Sequence, residues 1–107
     1  MNNYLIVTGG YTDDNFAVRW IKDNNFDCML ASDSGMEFFR RTGIVPDVII
    51  GDFDSVNPDT LEYFHDKEQI EVCMLNPEKD DTDTEYAIRE AIRRGAMEIV
   101  VIGATGT

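Results

Sequence analysis

The chain has 107 residues, 43% of them apolar, and sets 21 acidic against 9 basic side chains for a net charge of −12. That length suits one domain with one modest core. Such an acidic surface argues against nucleic acid or an anionic membrane as the main partner, because both call for a basic face, and a phosphate ligand would need a cation beside it.

Tyr4 to Thr8 reads as the first strand and stops at Gly9-Gly10. Asp13, Asp14 and Asn15 then offer N-caps to a helix with Phe16, Ala17, Trp20 and Ile21 at i, i+4 spacing, ending near Asn24-Asn25. Cys28 to Ser32 is the second strand, followed by Asp33-Ser34-Gly35 and a short helix from Met36 to Thr42 that Gly43 closes. Val48-Ile49-Ile50 is a third strand, fully apolar, which leaves through Gly51-Asp52-Phe53-Asp54-Ser55. Asn57 as cap and Pro58 at the first helical position start a helix that runs to about His65. Ile70 to Leu75 is the fourth strand.

Thr82 and Glu85 form a capping box for a helix striped by Ala87, Ile88, Ala91 and Ile92 and stopped at Gly95. Glu98 to Ile102 is the fifth strand, and Gly103-Ala104-Thr105-Gly106-Thr107 follows it. Alternation of short apolar runs with helical spacing predicts a three-layer α/β, Rossmann-like fold, a mostly parallel sheet with covering helices. A glycine-rich loop normally introduces a helix, so the expectation is that the chain is an excerpt of a longer enzyme.

The aromatics Phe16/Trp20 and Phe38/Phe39 sit at helical spacing and are expected in a core or an interface, and His65 at the surface or as a cap. Cys28 and Cys73 fall in apolar runs without metal-ligand spacing, which predicts buried, reduced thiols and a cytoplasmic location. The N-terminus lacks the basic and apolar regions of a signal peptide, and no apolar run reaches the roughly 18 residues of a membrane span.

In open α/β sheets ligands bind beyond the carboxyl ends of the strands, and every strand exit here is polar or glycine-rich. Asp52 and Asp54 alternate across Phe53, so extended backbone puts both carboxylates on one side. Two such charges about 5 Å apart repel by roughly 3 kcal/mol at an effective dielectric near 20, which Mg²⁺ would relieve. The pair reads as well as turn and cap residues of a solvated loop, and spacing leaves both readings open. Lys79-Asp80-Asp81-Thr82-Asp83 places acids where a helix N-terminus favours them, yet three carboxylates in four positions exceed what capping requires. Asp83 could join Asp52 and Asp54 at one cation, with Lys79 bridging a phosphate or offsetting local charge. The terminal glycine-rich segment can offer backbone N–H groups to phosphate, although it lacks the lysine of a P-loop.

Taken in order, Ala31-Ser32-Asp33-Ser34-Gly35, Gly43-Ile44-Val45-Pro46-Asp47, Gly51-Asp52-Phe53-Asp54-Ser55-Val56, Lys79-Asp80-Asp81-Thr82-Asp83-Thr84-Glu85 and Gly103-Ala104-Thr105-Gly106-Thr107 resemble the catalytic domain of thiamine pyrophosphokinase. The resemblance implies a nucleotide- and Mg²⁺-binding catalytic domain over residues 1–107 that transfers pyrophosphate from ATP to thiamine, leaving AMP. It implies Asp52, Asp54 and Asp83 as the Mg²⁺ ligands, Asp33 and Asp81 nearby, and Asp54 or Asp81 as the base. Gly9, Gly10, Thr105 and Gly106 would lie along the nucleotide, and Ser34, Gly35, Lys79, Thr82 and Thr107 belong to the same binding loops.

Ser34 replaces a glycine common in the family. An Arg-x-Asp-His continuation and a second, all-β domain that completes the thiamine pocket of a homodimer are absent from these residues, so the excerpt alone is expected to be nearly inactive. Two other readings compete. One is a Mg²⁺-dependent phosphatase or phosphotransferase with Asp52 as nucleophile, and the other is a non-catalytic nucleotide-binding module.

Overall fold

The structure is a computed structural model and describes residues 2–9, 13–32, 35–51, 58–65, 67, 69–74 and 83–103. The apolar runs pair as strands β1 (Asn3–Val7), β2 (Cys28–Ser32), β3 (Val48–Gly51), β4 (Glu71–Met74) and β5 (Glu98–Ile102). They alternate with helices α1 (Asp14–Asn24), α2 (Met36–Thr42), α3 (Pro58–His65) and α4 (Asp83–Arg93). All strand pairings are parallel and the order is β4-β3-β2-β1-β5, so the expected α/β class is the observed one.

Connection handedness decides which face each helix covers. From β1 to β4 every crossover steps one strand the same way, and right-handed connections then put α1, α2 and α3 on one face. The last crossover runs back across the sheet to the far side of β1, so α4 lands on the other face. The strands supply both layers by alternation: Leu5, Val7, Ala31 and Ile49 pack with Ala17, Ile21, Met36, Phe38, Phe39 and Phe64. Tyr4, Ile6, Leu30, Val48 and Ile50 pack with Ala87 and Ala91 of α4. Each fully buried Leu, Ile or Phe contributes about 1.5–3 kcal/mol of transfer free energy.

Local chemistry sets the helix ends. Phe16 N donates to Asp13 Oδ1 (3.2 Å) at the start of α1, and Asn25 closes it in the left-handed region at φ 50°. Gly43 ends α2, and Gly95 ends α4 with Gly95 N to Ile92 O and Ala96 N to Ala91 O, both 3.0 Å, the bond pair of a Schellman end.

Strand and helix edges differ from expectation by about a residue. β1 starts at Asn3 and releases Thr8, β3 extends to Gly51, and β4 begins at Glu71. Two apolar helix positions also part from the expected pattern. Phe16 is 67% exposed and belongs to no core, while Trp20 is half-buried against Phe26 with ring centroids 5.4 Å apart. Ile92 is 60% exposed, because α4 crosses β1, β2 and β3 and its stripe leans on them through Ala87 and Ala91. His65 is exposed at the end of α3, as expected.

Candidate functional site

Since all five strands are parallel, all five exits lie on one edge of the sheet, in the order Met74, Gly51, Ser32, Val7, Ile102. Gly51 and Met74 are register partners, and Ser32 pairs with Ile50 just inside. The segment bearing Asp52 and Asp54 and the segment bearing Lys79, Asp81 and Thr82 therefore set out from paired residues on neighbouring strands, whose separation is about 4.8 Å. Asp83 opens α4, the helix that returns from that same edge. Strand order reverses between β1 and β5, which is where a parallel sheet opens a crevice. Gly9 and Gly103 stand at its two sides. Thr8 stitches the crevice floor, donating from both its N (3.0 Å) and its Oγ1 (3.2 Å) to Ile102 O.

Of the residues singled out from the sequence, Gly10, Asp33, Ser34, Asp52, Asp54, Lys79, Asp81, Thr82, Thr105, Gly106 and Thr107 lie outside the described residues. Gly9, Gly35 and the backbone of Asp83 lie within them. Gly35 has a packing reason for its identity: a Cβ there would sit 2.0 Å from Val7 O and 2.7 Å from Val7 C. The entry of α2 is thus pressed against the end of β1. Gly51, one residue before Asp52, has φ 152°, a conformation open to glycine and strained for other residues.

The opposite edge accounts for another part of the sequence pattern. Asp47 Oδ2 accepts from Met29 N (2.7 Å) and Asp27 Oδ2 from Asn3 N (2.8 Å), so each acid before a strand caps the first part of the strand beside it. The Gly43-to-Asp47 motif consequently sits at the strand starts, far along the sheet from the exits. These caps carried no signal that would separate them in sequence from the exit acids.

Cys28 and Cys73 are free thiols, half-buried on the α4 face of the sheet rather than fully buried. Burial, with the negative charge of Asp47 behind it, pushes Cys28 up to about 11. Burial and a 3.5 Å hydrogen bond donated to Glu71 Oε2 also raise Cys73, so neither is an activated nucleophile. Glu90, buried on α4, accepts from Arg93 Nε (3.1 Å) and Arg94 Nε (2.9 Å), and Arg94 also binds Glu71. Those guanidinium groups, Arg93 first, hold the Glu90 carboxyl below its usual range.

Among the described residues no three His, Cys, Asp or Glu side chains gather closely enough to hold a metal ion. The candidate donor set at the exits is entirely carboxylate, the hard oxygen chemistry that Mg²⁺ takes. No helix among the described residues is long and apolar enough to cross a membrane.

The family described as the thiamin pyrophosphokinase catalytic domain matches residues 17–107. Among solved structures, the chain is similar to thiamin pyrophosphokinase from Geobacillus thermodenitrificans (29% identity, TM-score 0.77, covering 98% of this chain and 48% of that one). It is also similar to a thiamin pyrophosphokinase family protein from Enterococcus faecalis (27% identity, TM-score 0.74, covering 97% and 47%). The chain thus spans about half the length of the structures it matches. No curated protein matches it.

Proposed function

Since the chain belongs to the thiamin pyrophosphokinase catalytic-domain family, we propose that it forms the ATP- and Mg²⁺-binding half of an enzyme that pyrophosphorylates thiamine. In that reaction the thiamine hydroxyl oxygen bonds to the β-phosphorus of ATP, the bond from that phosphorus to the α,β-bridging oxygen breaks, and AMP leaves. The observation that supports the reading is the register pairing of Gly51 with Met74, the last strand residues before the two acid-bearing segments.

Asp52, Asp54 and Asp83 are the proposed Mg²⁺ ligands, with Asp33 and Asp81 beside them. Mg²⁺, when bound, supplies positive charge that offsets the phosphate oxygens and the departing AMP. In a chain of net charge −12, ATP would otherwise meet a repulsive field. The protein's own part is positioning and electrostatics. Backbone N–H groups of the Gly9-Gly10 and Gly103-to-Thr107 loops receive phosphate oxygens, with Lys79 as an added point charge. Asp54 or Asp81 takes the hydroxyl proton. A homodimer completes the thiamine pocket. A cytoplasmic setting agrees with the two free thiols.

Calorimetry of ATP with and without Mg²⁺ tests the site. Mg²⁺ is expected to add a binding component, and that component is expected to vanish in Asp52→Asn. Undiminished metal-dependent binding in that variant would overturn the assignment. AMP release that requires both ATP and thiamine separates this reaction from an aspartyl-phosphate mechanism, which would instead leave a phosphate adduct on Asp52.

A further inference from the structure

A cleft of about 680 Å³ opens between α1 and α2, with Asp14, Asn15, Arg19 and Lys22 on one side and Arg41 and Thr42 on the other. Its charge runs against the rest of the molecule: three of the chain's 9 basic residues line it, in a protein whose net charge is −12. The described cations elsewhere are engaged. Arg40 donates to Thr60 Oγ1 (2.9 Å) and, like Lys67, lies over the Tyr63 ring, while Arg93 and Arg94 hold Glu90 and Arg89 has its own partner. Arg41 is fixed by two bonds to Asp14, 2.8 and 3.1 Å long, which neutralise the cleft's carboxylate and orient the guanidinium. Arg19 and Lys22 are the two that have no ionic, hydrogen-bonding or ring partner among the described residues.

We propose that this cleft is a binding site for a small polyphosphate anion, with Arg19 and Lys22 as its charge contacts and Arg41 as an oriented third. Two unpaired cations at i, i+3 repel slightly, and a bound anion turns that repulsion into attraction. The volume falls within the range of small-molecule sites. Multivalent phosphate fits better than a single carboxylate because two unpaired cations, Arg19 and Lys22, line the cleft beside the Arg41–Asp14 pair, and the Arg19 guanidinium suits phosphate oxygens. The site uses helix side chains and needs no divalent metal, so it stands apart from the reading of the strand exits.

The test is titration of the chain with inorganic pyrophosphate in the presence of a chelator, followed by amide NMR shifts. Saturable shifts concentrated on residues 15–22 and 41–42 are expected, with affinity falling severalfold between about 20 and about 150 mM salt. The double variant Arg19→Gln/Lys22→Gln should weaken binding by about tenfold or more with an unchanged unfolding midpoint, whereas Lys22→Arg should retain it. Absence of saturable binding, shifts centred elsewhere, or equal affinity in the double variant would overturn the proposal. Because the metal is chelated, these results are independent of whether ATP binds at the exits.

Discussion

The two edges of the sheet set the same residue type in different places. At the strand starts, Asp27 and Asp47 are spent on backbone N–H groups of the adjacent strand, and the carboxylates work as local caps. At the exits, the acids follow Gly51 and Met74, paired residues on neighbouring strands, and acids brought together there repel unless a cation joins them. An aspartate at a strand start is therefore structural, and the proposed function gives those after the exits a different task.

Substitutions at each edge test that contrast. Asp52→Asn should give the largest change, a loss of Mg²⁺-dependent ATP affinity of 100-fold or more, about 3 kcal/mol, with unfolding free energy unchanged within about 0.5 kcal/mol. Calorimetry and urea denaturation on the same sample read both. Gly35→Ala should cost on the order of 3 kcal/mol or more in stability, because its methyl group meets the Val7 carbonyl; an unchanged denaturation midpoint would show that the entry of α2 is not pressed against the end of β1. Asp47→Ala should cost only about 1 kcal/mol, the net worth of its hydrogen bond to Met29 N, and leave nucleotide affinity alone.

The smallest effect concerns pH. Glu90 has its carboxyl lowered in the folded state, so its contribution is present above the ordinary glutamate value of about 4.3 and is lost as pH falls through the lowered one. In Glu90→Gln the acid limb of the stability curve should flatten below about pH 4 while the other carboxylates keep their share. Thermal unfolding between pH 3 and 7 would detect this, and an identical acid limb in both proteins would refute the coupling.

Much of the local structure was legible in the residues. The bounds of β2, α2 and β5 agree with the apolar runs and glycine stops, because alternation, 3.6-residue spacing and capping are short-range effects. The candidate site was legible as separate strand-exit segments and as a family resemblance, and the family match over residues 17–107 agrees with the latter.

What tertiary structure decided was which segments become neighbours. The order β4-β3-β2-β1-β5, the placing of α4 on the face opposite α1, α2 and α3, the exposure of Phe16 and Ile92, and the collision awaiting any side chain at Gly35 all depend on how crossovers stack. Periodicity tells a segment which of its sides is apolar and says nothing about how far the sheet extends beneath that side. An aspartate's neighbours are fixed by strand pairing across distances in sequence that no local pattern spans.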